Sequence, residues 1–307
     1  MNTDRHVVIG AGPVGTGIAR KAVARGHQVT IVTRTGSGLT IPGVHHVKAD
    51  VTDPVTAREA IKDASVVYQA AQPAYNKWSE KFPSLQSGVA TAAAATDAVL
   101  VAVENLYMYG PVDRPMTEDM AYAATTKKGA VRGALATELA DLYAAGDLRA
   151  TAGRGSDFYG PGVLVSSLAE RVFPKVLAGK NASVLGDPDR LHSYTYIDDF
   201  ADALVTLGGD VRSLGRAWHV PNAPTRTTSQ VVDLAYRAAG TKGKAVGAPK
   251  LILRLIGKFN PVVGEVIEML YEFEEDFVVD HSDFADTFGA NPTSLEDGIS
   301  RTVDWYR

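Results

Sequence analysis

The stretch Gly10-Ala11-Gly12-Pro13-Val14-Gly15 comes directly after the apolar run Val7-Val8-Ile9 and opens a segment of helical composition. A G-x-G-x-x-G pattern in this position is typical of a turn between a strand and a helix that binds dinucleotide phosphates. We expect Gly10 to permit the tight turn, Gly12 to admit a pyrophosphate and Gly15 to let helix and strand pack closely. The helix N-terminus then offers free N–H groups to the phosphates. The cofactor-binding residues predicted in this turn are Gly10, Gly12, Pro13, Val14 and Gly15.

The end of the second predicted strand bears on which dinucleotide is bound. NAD is commonly held by an acidic residue about 20 residues beyond the glycines, which binds the ribose 2′-hydroxyl. Here Thr33-Arg34-Thr35 follows the run Val29–Val32, and no carboxylate is present. Because the guanidinium of Arg34 can bind a 2′-phosphate, we expect NADP, with NAD as the alternative.

Short β-branched runs alternate with helical stretches through the first half of the chain. This alternation predicts βαβ units and a doubly wound parallel sheet, the α/β Rossmann fold. After Gly160 the alternation loosens, and we expect a smaller, mostly helical C-terminal substrate lobe. The predicted division is a dinucleotide-binding domain at 1–160, completed by about 187–222, with an interleaved substrate-binding lobe at 161–186 and 223–290.

Composition limits the possible partners and the location of the protein. The chain has 307 residues, of which 45% are hydrophobic and 21% charged, and its net charge of -4 gives no basic surface for nucleic acid. It contains no cysteine, which excludes disulfides, thiolate metal sites and a cysteine nucleophile. The apolar run around Val99–Val103 is far shorter than the roughly 20 residues that span a bilayer. We expect a cytoplasmic protein that binds neither nucleic acid nor membrane.

Further motifs occur in the order found in one enzyme family. They are Asp50-Val51-Thr52-Asp53, Tyr68-Gln69-Ala70-Ala71, Tyr109-Gly110-Pro111, Arg154 with Tyr159-Gly160-Pro161-Gly162, Tyr196-Ile197-Asp198-Asp199, and Phe288-Gly289 to Tyr306. With them the chain resembles an extended or atypical short-chain dehydrogenase/reductase of the NAD-dependent epimerase/dehydratase type. The resemblance implies that Asp50 and Val51 contact the adenine, and that the backbone at Ala70 and Ala71 lines the cofactor.

The chain departs from that family at the residues of the proton relay. The family's catalytic Ser or Thr corresponds to Asn105. If Lys128 is the active-site lysine, the position of the catalytic tyrosine is Ala124; if Lys127 is the lysine, that position is Ala123. Neither choice gives Tyr-x-x-x-Lys, so the standard Ser-Tyr-Lys relay is absent from the sequence.

Tyr107 is the best candidate to replace the missing phenol. It lies two residues after Asn105, and we expect both side chains to leave an extended segment on the same face. In this hypothesis Tyr107 delivers a proton and Asn105 polarises the substrate oxygen. Lys128 holds the nicotinamide ribose and lowers the pKa of the phenol. The alternative is that Tyr107 only packs against the second lobe.

Other candidate residues rank below Tyr107. Tyr75 and Trp78 could form an aromatic wall of the substrate site, and Tyr122 could fold back from a loop. His192 is expected to be a structural histidine. We expect no metal site, since the side chains of the adjacent pair His45-His46 point to opposite faces of a strand.

Three functions remain open from the sequence. The first is an NADP(H)-dependent oxidoreductase that reduces a small carbonyl or enone substrate. The second is a sugar-nucleotide epimerase or dehydratase, whose diphosphate would need basic residues such as Arg171, Lys175, Lys180 and Arg190. The third is a non-catalytic protein that senses NADP. The apolar stretches Leu251–Ile256 and Val262–Leu270 could form a homodimer interface or the core of the helical lobe.

Overall fold

A central parallel sheet organises the computed structural model, which describes residues 4–248 and 261–307. Seven strands pair in the order β11-β6-β5-β4-β1-β2-β3, and every neighbouring pair is parallel. The strands are β1 Arg5–Ile9, β2 Gln28–Thr33, β3 Val44–Lys48, β4 Val66–Gln69, β5 Val99–Glu104, β6 Ala150–Arg154 and β11 Ala217–His219. The sheet order reverses between β1 and β4, which is where open α/β sheets bind ligands. The predicted doubly wound Rossmann sheet is confirmed.

Helices cover both faces of this sheet because alternate side chains of each strand point to opposite sides. Val8 packs with Ile18 and Leu204 in the core beneath α1 and α6, whereas Val7 packs with Val89 in the core beneath α2, α3 and α4. The helices are α1 Pro13–Ala24, α2 Pro54–Ile61, α3 Trp78–Ala94, α4 Lys127–Ala144 and α6 Ile197–Gly209.

The second half of the chain adds a region of short helices and three two-stranded sheets. Its core includes Phe173, Val231 and Ile299. The helices are α5 Phe173–Leu177, α7 Thr228–Ala239, α8 Pro261–Ile267, α9 Tyr271–Glu274, α10 Ser282–Phe288 and α11 Leu295–Tyr306. The strand pairs are β7 Asp157–Tyr159 with β10 Tyr194–Tyr196, β9 Leu191–His192 with β12 Arg226–Thr227, and β8 Ala182–Val184 with β13 Ala245–Gly247.

Two stretches of helical composition in this region form shorter helices in the structure. The sequence predicts a helix from Val163 to Gly179, but only α5 forms there, with Pro174 in its first turn, where proline starts a helix rather than continuing one. The sequence also predicts helices over Val231 to Phe273; the first of them, α7, ends at Ala239, where the left-handed backbone of Gly240 (φ 71°) closes it. The apolar stretch Leu251–Ile256, considered as a dimer interface, lies outside the described residues. Within 4–248 and 261–307, no helix is long and apolar enough to cross a membrane.

Candidate functional site

The turn between β1 and α1 has the geometry of a phosphate site. Gly10 adopts φ +108°, and a Cβ there would lie 2.8 Å from the backbone nitrogen of Ala71 at the end of β4. A Cβ on Gly15 would overlap the carbonyl oxygen of Gly10. By contrast, a Cβ on Gly12 would meet no atom within 4 Å, so open space lies beside the N-terminus of α1. No side chain caps that N-terminus, and Pro13 lies in its first turn. The turn therefore fits a dinucleotide pyrophosphate.

A second turn, after β2, contains hydroxyl groups and cations at the place where the adenosine part of the dinucleotide is expected. The hydroxyls of Thr35 and Ser37 lie 2.5 Å apart, and Arg34 is exposed between β2 and this pair. Gly36 lies against Lys48 of the neighbouring strand, since a Cβ on Gly36 would be 3.1 Å from the Lys48 Cβ. Lys48 was missed in the sequence because it follows Arg34 by 14 positions and adjoins the turn only through β2–β3 pairing.

Asp50 and Val51 begin the loop that follows β3. The Asp50 carboxylate accepts hydrogen bonds from the Thr52 hydroxyl (2.7 Å) and backbone nitrogen (3.0 Å). These bonds, with a smaller contribution from Arg34, lower the pKa of Asp50. Val51 is buried in the core beneath α2 and α3. The Asp50 side chain is thus exposed and fixed, whereas Val51 contributes its side chain to packing.

Three aromatic rings line the carboxyl ends of β4 and β5. The Tyr75 and Trp78 rings meet edge to face with centroids 5.2 Å apart, and Trp78 stacks on Tyr107 at 6.0 Å. The Tyr75 and Tyr107 phenols lie near enough for each to shift the pKa of the other. We call these three rings, Tyr75, Trp78 and Tyr107, the aromatic wall; that they line a substrate site stays a prediction.

Tyr107 does not leave an extended segment together with Asn105. Strand β5 ends at Glu104, and Tyr107 begins a short 3₁₀ turn. The Asn105 side-chain oxygen accepts a hydrogen bond from the Tyr107 backbone nitrogen (3.3 Å), so it ends the strand by competing for backbone hydrogen bonds. The same-face expectation was wrong for this reason, although the two residues remain neighbours in the turn.

Lys128 lies beside this wall but its charge is already compensated. Its side chain is 3% exposed, and Nζ lies 4.1 Å from the centroid of Tyr75. Nζ forms an ion pair with Glu265 and lies 3.8 Å from Glu268. The Glu268 carboxylate also accepts from the backbone nitrogens of Lys127 (3.2 Å) and Lys128 (3.1 Å) at the start of α4. These contacts could not be predicted from the sequence, because the two glutamates follow Lys128 by 137 and 140 positions.

The pKa of Tyr107 shifts in the direction opposite to the one expected. Burial raises it well above its usual range, and the nearby Glu272, Tyr75 and Asp157 raise it further. Lys128 does not offset this effect because Glu265 neutralises its ammonium group. Tyr107 is therefore a protonated hydrogen-bond donor rather than an activated phenolate.

The chain is similar to proteins of one known family. Residues 6–220 match the profile of the NAD dependent epimerase/dehydratase family. The chain belongs to this family. UDP-N-acetyl-alpha-D-glucosaminuronate decarboxylase of Bacillus cytotoxicus is 23% identical over 97% of this chain and 96% of that protein. A trifunctional UDP-glucose 4,6-dehydratase/UDP-4-keto-6-deoxy-D-glucose 3,5-epimerase/UDP-4-keto-L-rhamnose-reductase of Arabidopsis thaliana is 25% identical over half of this chain, which spans 20% of that protein.

Solved structures of low identity show the same fold. An epimerase from Methanothermobacter thermautotrophicus superposes with a TM-score of 0.80 at 14% identity, covering 99% of this chain and 92% of that one. A dTDP-glucose 4,6-dehydratase from Streptomyces venezuelae, solved with NAD bound, has a TM-score of 0.79 at 17% identity, covering 98% and 96%. The family is one of enzymes, and its relatives here include dehydratases, epimerases and a decarboxylase.

In this member of the epimerase/dehydratase family, the position of the relay tyrosine lies before the helix that carries Lys128. Helix α4 begins at Lys127 and is capped by Thr126, whose hydroxyl accepts from the Gly129 nitrogen (3.1 Å). Ala124 therefore precedes the helix, and its nitrogen donates to the carbonyl of Met108. A residue at position 124 does not share a helical face with Lys128.

Tyr109 and Tyr122 serve a separate network around a buried arginine. Arg154 donates to the Glu104 carboxylate (2.8 Å), the Tyr109 hydroxyl (2.6 Å) and the Tyr122 hydroxyl (2.5 Å). The Tyr109 hydroxyl also lies 2.8 Å from Nε2 of His219. Burial raises the pKa of Tyr109 to about 12 and lowers that of His219 to about 4. These groups fix the ends of β5 and β6 rather than joining the wall at Tyr107.

His192 is a buried residue of the second half of the chain. Its Nε2 lies 2.9 Å from an Asp157 carboxylate oxygen, and its Nδ1 donates to the carbonyl of Glu272 (3.1 Å). Its ring stacks on Phe273 with centroids 4.9 Å apart. Both ring nitrogens therefore have partners, as in a structural histidine. No group of three or more His, Asp or Glu residues in the described part of the chain is placed to bind a metal ion.

Two glycine substitutions separate phosphate access from packing. We expect Gly12→Ala to retain the melting temperature but weaken dinucleotide binding at least tenfold, because its Cβ enters only the open space. Gly15→Ala should also destabilise the fold by about 1–3 kcal/mol, because its Cβ overlaps backbone. Fluorescence titration with NADPH and thermal unfolding measure the two effects. Gly209→Ala, also open, is the control, and wild-type affinity in Gly12→Ala would contradict the assignment of this turn.

Proposed function

We propose that this protein binds a nicotinamide dinucleotide at the β1–α1 turn and transfers hydride at an alcohol or carbonyl carbon of a substrate. The observation that carries the proposal is that the glycine turn and the group Tyr75, Tyr107 and Lys128 all lie at the carboxyl ends of neighbouring strands. A bound nicotinamide supplies or accepts the hydride.

The residues of the cleft have separate proposed roles. Lys128 holds the nicotinamide ribose once Glu265 releases it. Tyr107 donates a hydrogen bond to the reacting oxygen, and its raised pKa keeps the donor protonated. The Asn105 amide nitrogen donates to the same oxygen, since its side-chain oxygen is engaged by the Tyr107 backbone. We propose that 161–186 and 223–290 form the substrate-binding lobe over the dinucleotide-binding domain of 1–160 and about 187–222.

The cofactor we propose is NADP, in the NADP(H) redox couple, with NAD as the alternative. Arg34 and Lys48 place two cations beside the hydroxyls of Thr35 and Ser37, which suits a 2′-phosphate. Three similar solved structures, from Streptomyces venezuelae, Bordetella bronchiseptica and Thermus thermophilus, contain bound NAD. The proposed preference for NADP over NAD therefore depends on the turn after β2.

A sugar nucleotide is the first candidate substrate. The UDP- and dTDP-sugar enzymes named above act on nucleotide-linked sugars, and two of them, the decarboxylase and the dTDP-glucose 4,6-dehydratase, match nearly the full length of this chain. The four basic residues considered for a diphosphate are all exposed, and one of them, Arg190, forms an ion pair with Asp187 (3.5 Å).

A small carbonyl or enone substrate is the second candidate, favoured by the charge of the cleft. Three carboxylates, those of Asp157, Glu265 and Glu268, lie around the aromatic wall against two cations, Lys128 and Arg132, and this excess of negative charge opposes a diphosphate. A substrate without phosphate would bind near these carboxylates with less electrostatic repulsion than a diphosphate.

A substrate panel distinguishes these candidates. A sugar-nucleotide enzyme should rearrange UDP- or dTDP-sugars, which chromatography detects. A carbonyl reductase should oxidise NADPH in the presence of small ketones or enones, which a fall in NADPH absorbance detects. Tyr107→Phe should lower turnover by about 10²–10⁴-fold while leaving the Kd for NADPH unchanged. Tyr143→Phe, on the exposed side of α4, is the control. Binding of NADPH without turnover of any compound would instead support an NADP sensor.

Arg34→Ala tests the choice of cofactor. Loss of a charged hydrogen bond to the 2′-phosphate, about 1.5–3 kcal/mol, should raise the Kd for NADPH by about 10–100-fold and leave the Kd for NADH unchanged. Titration calorimetry measures both constants. Arg58→Ala on α2 is the matched control. Equal losses for the two cofactors would show that Arg34 does not read the 2′-phosphate.

Glu265→Gln tests whether Lys128 serves the cofactor. Removal of the competing carboxylate should free the ammonium group and tighten NADPH binding by about three- to tenfold, in line with a partly buried ion pair. Glu59→Gln, which removes an exposed ion pair with Lys62, should have no effect. Unchanged affinity in Glu265→Gln would mean that Lys128 and the cofactor do not meet.

A further inference from the structure

A cavity of about 540 Å³ lies between α4 and the two strands β6 and β11. The α4 residues that line it recur at the spacing of one helical face: Ala136, Leu139, Ala140 and Tyr143. The strands contribute the small side chains of Ala150, Ala152 and Ala217. Because most of these side chains are single methyl groups, they do not fill the space between helix and sheet. The cavity therefore has an apolar floor.

This cavity is separate from the cofactor turn and from the aromatic wall. Strands β11 and β6 form one edge of the sheet, and β5 and β4 lie between them and β1, which leads into the glycine turn. The residues that line the cavity include neither Lys128 nor any ring of the aromatic wall. A ligand in the cavity would therefore occupy a second site.

Two arginines line the cavity, and each already has a carboxylate partner. Arg154 forms a buried ion pair with Glu104 (2.8 Å). Arg216 forms an ion pair with Asp283. All four of these residues line the cavity, so their charges compensate each other there. The sign of the remaining charge is therefore set by the other two carboxylates of the lining, those of Glu118 and Asp119.

Glu118 is a buried carboxylate without a cationic partner. Its side chain is 8% exposed, and Oε1 accepts a hydrogen bond from the His219 backbone nitrogen (2.8 Å). The only basic side chain within 4 Å, in the part of the chain that the structure describes, is that of His219, whose Nδ1 lies 3.9 Å from Oε2. This Nδ1 donates to the Asp280 carbonyl (2.8 Å), and burial lowers the pKa of His219 to about 4, so the ring is neutral at pH 7.

The burial of Glu118 thus creates a place for a positive charge. A carboxylate taken out of water is unfavourable unless a cation or several hydrogen bonds compensate it. Burial accordingly raises the pKa of Glu118. Asp119, the next residue, is exposed and has no ion pair among residues 4–248 and 261–307. A cation held in the cavity beside both carboxylates would supply the missing charge.

Two tyrosine rings border the cavity and remain partly exposed. Tyr122 is 40% exposed and Tyr143 is 38% exposed. The Tyr122 hydroxyl accepts a hydrogen bond from Arg154 (2.5 Å), which fixes that ring. The Tyr143 ring packs on the backbone of Gly215, where a Cβ would overlap a ring carbon. Because the faces of aromatic rings attract organic cations, both rings favour the same class of ligand as the carboxylates.

We propose that this cavity binds an organic cation with an apolar body, such as an arylalkylammonium compound. Its charged group lies beside Glu118 and Asp119, and its apolar body lies on the alanine floor between the rings of Tyr122 and Tyr143. An anion would face the two unpaired carboxylates and is disfavoured. The site does not depend on the proposed function.

NMR of ¹³C-labelled alanine methyl groups tests the class of ligand. The probes are 2-phenylethylammonium, its neutral analogue 2-phenylethanol and its anionic analogue 3-phenylpropanoate, each added without a dinucleotide. We expect the ammonium compound to shift the signals of Ala136, Ala152 and Ala217 with a Kd of about 1 mM, as for a ligand of few atoms. The signals of Ala19 and Ala22 in α1 should not move. The alcohol should bind about tenfold more weakly, and the anion should cause no shift.

Two substitutions test the position of the ligand. Glu118→Gln keeps the acceptor for the His219 nitrogen but removes the charge, so it should weaken binding of the ammonium compound about tenfold. Glu59→Gln, which removes an exposed carboxylate on α2, is its control. Ala140→Trp fills the cavity from an exposed position and should abolish binding. Ala144→Trp, exposed on the same helix but outside the lining, should bind as wild type does.

Three results would overturn the proposal. Absence of any shift at about ten times the expected Kd would show that the cavity does not bind this class of ligand. Equal affinity for the ammonium compound and the alcohol would show that the carboxylates do not select a cation. Wild-type affinity in Ala140→Trp would place the ligand elsewhere, and this variant keeps the test decisive if Glu118→Gln does not fold. Failure of NADPH to bind would overturn only the proposed function.

Discussion

The close contact between Gly15 and the carbonyl of Gly10 is the constraint on which the site depends. Since no Cβ separates them, α1 can begin immediately where β1 ends. Its uncapped N-terminus then lies beside the open space at Gly12, at the point where the sheet order reverses between β1 and β4. Farther along α1, Gly17 approaches Ala201 of α6, so the same helix is tied to the opposite layer of the fold. Small residues thus fix the position of the phosphate site relative to the sheet.

The other end of the cleft is dominated by neutral donors and compensated charges. Burial raises the pKa of Tyr75, Tyr107 and Tyr271, which keeps their hydroxyls protonated. Glu265 forms an ion pair with Lys128, and a second buried cation, Arg132, lies over the Trp78 ring of the same cluster. A site of this type stabilises developing negative charge on a substrate oxygen by hydrogen bonding, rather than through a preformed phenolate. This arrangement is a physical alternative to the relay that the family motif describes.

The sequence alone predicted those features of the protein that depend on residues close together in the chain. The strand and glycine turn at Val7–Gly15 combine backbone freedom with helix polarity over a few residues, and the structure has the expected turn there. The motif order predicted the family, which the profile over 6–220 shows. The prediction failed at Asn105 and Tyr107, which were expected on one face of an extended segment. The Asn105 side chain accepts a hydrogen bond from the Tyr107 backbone nitrogen and turns the chain, and the alternation of residue types does not reveal this side-chain bond.

The sequence by itself determined the parallel sheet, the phosphate turn and the absence of Tyr-x-x-x-Lys, since each follows from residue types within a short segment. Only the tertiary structure decided the electrostatics of the cleft. Glu265, Glu268 and Glu272 come from more than 130 positions beyond Lys128, and their effect depends on burial and on which groups they meet. A carboxyl group is an ordinary charge when exposed and an ion-pair partner beside Lys128, and its pKa is raised when it is buried near Asp157. The distance to other charges and the loss of solvent determine how each carboxyl group behaves, and neither can be inferred from the residues next to it in the sequence.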